Sequence, residues 1–126
     1  MSINLARNSL GAGAFAGAVA VMLGAFGAHA LRTVLDAGAI ATWHTAVEYQ
    51  FWHALALLAV GVIAQRRHDR ALHLAAYAFA IGIVLFCASL YALALGAPRW
   101  IGAITPLGGG AFVVGWIALA LHARKT

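Results

Sequence analysis

His53 is the residue in this sequence best placed to do chemistry. It falls inside a long apolar run. An ionisable side chain there is costly and faces protein or a water-filled cavity. Tyr49 stands one turn earlier on the same helical face, with Gln50 beside it. Ser89 and Tyr91, from a later apolar run, complete a candidate polar intramembrane site. A neutral imidazole needs one donor and one acceptor. His53 therefore either bonds Tyr49, Ser89 or a backbone carbonyl and pins helices together, or it serves a proton or ligand path. Metal ligation has weak support, because no His, Cys or carboxylate stands three or four residues beyond His53 to share an ion. No catalytic residue, metal or cofactor is assigned.

Glu48 is one of three acidic residues. It lies five positions before His53 and so points roughly 140° away around a helix. Its expected state is a snorkelled carboxylate, or one paired with Arg32 or Arg99. His29, His44 and Glu48 fall at similar depth and form a candidate outer polar cluster. The sequence contains no Walker loop, no G-x-S-x-G elbow, no H-E-x-x-H and no paired carboxylates. The expectation is that the protein is not an enzyme.

The elements that position these residues follow from composition. Of 126 residues, 64% are hydrophobic and 9% charged. Soluble domains average about a quarter charged, so lipid is the expected solvent. Four apolar stretches, at about 8–30, 43–64, 72–95 and 105–122, each reach the roughly 20 residues that a bilayer requires or come close to it. Arg7 with Ala28-His29-Ala30 mimics a signal peptide, but the apolar run is longer than such a segment usually has. Leu31, Val34 and Leu35 suggest a short interfacial helix that Gly38 would end. Gly96-Ala97-Pro98-Arg99 reads as a turn, and Thr105-Pro106 as the capped start of the last helix. Gly13, Gly17, Gly24 and Gly27, with Ala20 between them, recur every three or four residues. Gly108 and Gly115, with Ala111 and Ala118, repeat the spacing. Both are expected helix-packing seams, since small residues let membrane helices approach closely. The single Cys87 allows no intrachain disulfide.

Six of the eight Lys and Arg fall at the amino end, the middle loop and the carboxyl end (Arg7, Arg66, Arg67, Arg70, Arg124, Lys125). The other two loops hold only Arg32 and Arg99. The positive-inside rule then predicts an all-α integral membrane four-helix bundle with both termini cytoplasmic. Trp43 and Trp100 are expected at the outer interface. The net charge of +5 suits anionic headgroups, and no nucleic-acid motif accompanies it.

Several motifs resemble one family. Gly24-Ala25-Phe26-Gly27-Ala28-His29-Ala30-Leu31 looks like its first-helix signature. Tyr49-Gln50 with His53-Ala54-Leu55-Ala56-Leu57-Leu58 resembles the second. Leu85-Phe86-Cys87-Ala88-Ser89-Leu90-Tyr91 resembles the third, with Cys87 and Ala88 in place of a serine and a glycine. Ile104-Thr105-Pro106-Leu107-Gly108-Gly109 and Gly115-Trp116 resemble the fourth. The family is the YgdD-like group, Domain of Unknown Function four-two-three, of small bacterial inner-membrane proteins with mitochondrial relatives. The resemblance implies a four-helix protein of the bacterial inner (plasma) membrane and no established activity. The expected role is a structural or accessory unit whose partners are the lipid bilayer and either itself or a larger membrane complex. The alternative is a small carrier or channel with a polar path around His53.

Overall fold

A computed structural model describes residues 2–126. Helix α1 spans Ser2–His29 and α2 spans Ala37–Ala64. Helix α3 spans Arg70–Ala94, with a π turn at Ile83–Cys87. A 3-10 turn, Arg99–Ala103, leads into α4, Thr105–Ala123. The fold is all-α, with no strand among the described residues, and four helices are long and apolar enough to cross a membrane.

Asp36 corrects the expected interfacial helix. Residues 30–35 form turns, and the Asp36 carboxylate caps α2 by accepting the Ala39 N–H at 2.8 Å. Gly38 therefore lies inside the first turn of α2 rather than ending a helix, and α2 starts six residues before the expected Trp43. A carboxylate at a helix N-terminus satisfies an orphan N–H and complements the dipole, and Asp69 does the same for α3 through Leu72 N at 2.9 Å. Gly96 ends α3 at φ 97°, where a side chain would be strained. The Ala97 N–H bonds Ala92 O and the Gly96 N–H bonds Leu93 O, which is a Schellman motif. Pro106 occupies the first turn of α4, but Thr105 is not its cap, because its hydroxyl bonds Ser89 instead.

Helices α1 and α2 pack antiparallel, α3 packs along α4, and α2 meets α3 across the middle. Glycines set both close pairs. A Cβ on Gly13 would come within 2.8 Å of Ala54 O, one on Gly27 within 2.5 Å of Trp43, and one on Gly61 of α2 within 2.7 Å of Leu10. Gly24 approaches Val47 more loosely, at 3.3 Å. Gly17 departs from the expected seam. Its Cβ would meet only the Ala54 methyl, at 3.9 Å, which is ordinary contact. In the α3–α4 pair, rings from each helix seat on glycines of the other. Phe79 lies on Gly115, Phe112 on Gly82, and Phe86 on Gly108. Phe79, Leu72 and Val60 are wholly buried at the centre.

Candidate functional site

The polar residues inside the membrane helices form separate hydrogen-bonded pins rather than one path. The first holds α1 to α2. Trp43, only 3% exposed, donates its indole N–H to Leu23 O at 2.8 Å. It is therefore packed against α1 rather than presented on the surface. Trp100 is exposed. The second pin joins three helices. The Tyr91 hydroxyl donates to Gln50 Oε1 at 2.7 Å, and Gln50 Nε2 donates to Ala16 O at 2.9 Å. The third joins α4 to α3. The single hydroxyl hydrogen of Ser89 goes to Phe86 O at 2.9 Å, so Thr105 must donate to Ser89 Oγ at 2.6 Å.

His53 forms the fourth. Its Nδ1 lies 2.7 Å from Tyr49 O, an acceptor only, so Nδ1 carries the proton. Its Nε2 accepts the Trp116 indole N–H at 3.1 Å. Those partners define a neutral tautomer with both nitrogens occupied. The imidazole stacks on Phe112 with centroids 3.6 Å apart and planes 10° apart. Tyr49 contributes its carbonyl and its ring, which contacts His53 and Phe86. With Trp52 and Trp116 these rings line an open groove of about 660 Å³ between α2 and α4.

The structure thus divides the five expected site residues among three contacts: His53 with Tyr49, Gln50 with Tyr91, and Ser89 alone with Thr105. No described buried side-chain polar atom lacks a partner. The outer residues His29, His44 and Glu48 are exposed and make no hydrogen bond with one another, and Glu48 has no ion pair with Arg32 or Arg99 among the described residues. No three His, Cys, Asp or Glu side chains converge among the described residues. Sequence reasoning missed Trp116, Thr105 and Phe112 as partners. Trp116 had a readable signal, since it lies about 16 Å along α4, close to the depth of His53.

A family model described as a protein of unknown function (DUF423) matches residues 23–109. A membrane protein of the UPF0382 group from Staphylococcus saprophyticus is 44% identical over 113 residues, covering 90% of this chain and 93% of its own. The chain belongs to the DUF423 family. A UPF0382 membrane protein of Haemophilus influenzae is 45% identical and covers 90% of both chains. The UPF0382 inner membrane protein YgdD of Escherichia coli K12 is 40% identical over 112 residues, covering 89% of this chain and 86% of its own. No solved structure matches. This DUF423 member is a multi-pass protein of the bacterial inner membrane, with four apolar spans.

A fifth contact of this DUF423 protein joins the loop residue Asp69 to the end of the last span. His122, in the last turn of α4, donates from Nδ1 to Asp69 Oδ2 at 2.8 Å, while Asp69 Oδ1 caps α3. Partial burial raises the Asp69 pKa, but the His122 hydrogen bond, the Leu72 N–H and the charges of His122 and Lys125 outweigh it. The net effect holds the carboxyl below its ordinary value. A folded-state pKa below the unfolded one contributes stability that is present above the ordinary carboxylate range and is lost as pH falls through the folded pKa. Asp69→Asn can still cap α3, but it replaces the charge-assisted bond to His122 with a neutral one. It is expected to lower stability by about 1 kcal/mol near neutrality, the difference between a charged and a neutral hydrogen bond. It should also flatten the loss of thermal stability below about pH 4. Melting of solubilised protein across pH checks both, and an unchanged acid limb would refute the assignment.

Proposed function

We propose that this protein is a non-enzymatic structural or accessory unit of the inner membrane, acting through contacts with itself or with a larger membrane complex. One observation carries the reading. Each of the buried polar residues Gln50, His53 and Ser89 within the spans is engaged in holding one helix to another. A transport path needs polar groups free to exchange partners, and a catalytic group needs an open position for its substrate. The connecting turns are short, so contacts must be made within the bilayer or at its surfaces. Crosslinking in membranes followed by isolation of the native complex tests this. A defined assembly is the expected result, and a strict monomer with no recovered partner counts against it. The carrier alternative predicts flux in proteoliposomes that His53→Ala abolishes.

Both termini are proposed to be cytoplasmic, from the six-to-two split of basic residues. A reporter fused after Thr126 should read cytoplasmic. One inserted between Thr33 and Val34, in the exposed turn before the Asp36 cap, should read periplasmic. Agreement of the two reporters on one side would overturn the topology.

A further inference from the structure

Helices α1 and α3 barely touch, and the gap between them is a groove with α2 as its floor. One section, of about 290 Å³, is lined at its end by Asn4, Asn8 and His73. The next, of about 240 Å³, is lined by Phe15, Val19, Ile83 and Val84. The two sections share Ala12, Leu57 and Ala80, so they form one continuous furrow. Small residues open it, with Ala12 and Ala16 on the α1 wall and Ala76 and Ala80 on the α3 wall.

We propose that this furrow binds an anionic phospholipid, with one acyl chain along the alanine walls and the headgroup at Asn4, Asn8 and His73. Three features select that occupant. The furrow changes from polar to apolar in one direction, as a lipid does. Its α1 wall runs from Asn4 to Val19, about 22 Å, which matches one leaflet of hydrocarbon plus the headgroup region. Its polar end lies at the basic end of the molecule, with Arg7, Arg66, Arg67, Arg70, Arg124 and Lys125 against the single carboxylate of Asp69. Basic residues at a membrane surface attract anionic lipid.

The headgroup contacts are available. The Asn8 amide has no partner among the described residues. Asn4 Oδ1 accepts from Arg7 Nη2 at 3.4 Å, which leaves the Asn4 amide hydrogens free and holds a guanidinium at the rim. His73 Nδ1 donates to Asp69 O at 3.1 Å, which leaves Nε2 for the ligand. Amide donors suit a phosphate oxygen, and Nε2 suits a glycerol hydroxyl. Phosphatidylglycerol carries both groups.

Native mass spectrometry on the full chain, stripped of lipid and offered phosphatidylglycerol or phosphatidylcholine of the same acyl composition, tests the proposal. The wild type is expected to retain one phosphatidylglycerol in preference to phosphatidylcholine. The double variant Asn8→Ala, His73→Ala, on exposed or half-exposed positions, should lose phosphatidylglycerol retention by about tenfold, as two polar contacts disappear. Ala80→Leu should fill the furrow and release both lipids. If Ala80→Leu does not fold, the double variant alone decides. Equal retention of the two lipids, or retention indifferent to Asn8 and His73, would overturn the proposal. So would an efficient disulfide between two copies carrying Ala12→Cys, which would put a second chain in the furrow.

Discussion

Gly108→Leu is expected to prevent the α3–α4 pair from closing, and even Gly108→Ala should be destabilising. A Cβ at position 108 would overlap Phe86 N and lie 2.7 Å from Phe86 Cα. Those are backbone atoms of the π turn, so no rotamer change relieves the clash. A π turn inserts one extra residue into a helix and displaces its backbone locally. Here that displaced segment occupies the notch that Gly108 leaves. Overpacking of this kind costs about 1–3 kcal/mol, and separation of the helices would also weaken the Ser89–Thr105 contact. Gly110 is the internal control, since a Cβ there meets nothing within 4 Å. Gly110→Ala should be neutral, or stabilising by about 0.5–1 kcal/mol through backbone entropy. Thermal melting of the solubilised protein distinguishes them, and equal tolerance at the two positions would mean that α3 and α4 are not in close contact.

The contrast between Gly108 and Gly17 marks what spacing alone conveys. Period-three-and-four glycines identify one face of one helix, which is a property of local geometry. Which glycine on that face receives its neighbour depends on what the other helix presents there. Gly13 meets a carbonyl and Gly27 an indole, while Gly17 meets only an alanine methyl. Gly61 stands without other glycines near it in α2, and Gly82 ends a run of small residues, Ala71, Ala75 and Ala78, that holds no other glycine. They are nevertheless tight, because Leu10 and Phe112 from partner helices fill their notches. Span number was legible because each apolar run exceeds or nearly reaches bilayer thickness. The early start of α2 was not read, because Asp36 was assigned to an interfacial segment and not as a cap.

The site was legible in depth and illegible in partnership. His53 was recognisable as a buried polar residue from its place in an apolar run. Its donor, Trp116, is 63 residues away, and nothing local in the sequence ties the two together. The same holds for Gln50 and Tyr91, which come from α2 and α3 and share a bond only because the two helices cross at that level. His122 stands at the very end of the last apolar run, where a polar residue reads as a surface one. Asp69 lies in the middle loop, where nothing local shows that it organises the start of α3 and the end of α4 together.

His53→Ala should cost about 2–4 kcal/mol, the range for truncating a large buried side chain. Three losses combine. The ring stacked 3.6 Å from Phe112 disappears, the Trp116 N–H loses its acceptor, and a void opens beside Phe79. His53→Leu refills much of the volume but restores neither the flat stack nor the acceptor, so it should fall between wild type and Ala. Trp116→Phe, made alone, leaves His53 Nε2 unpaired. Combined with His53→Leu it removes donor and acceptor together, and such paired removal is far less costly than orphaning one partner. The double variant should therefore be more stable than the sum of the single effects implies. The expected coupling is about 0.6–1.7 kcal/mol, as measured for interhelical hydrogen bonds in membranes. Strict additivity would refute the bond as a helix pin. A functional role for His53 gives a different pattern. Leu and Ala would then abolish activity alike at unchanged melting temperature, and Trp116→Phe would not rescue either.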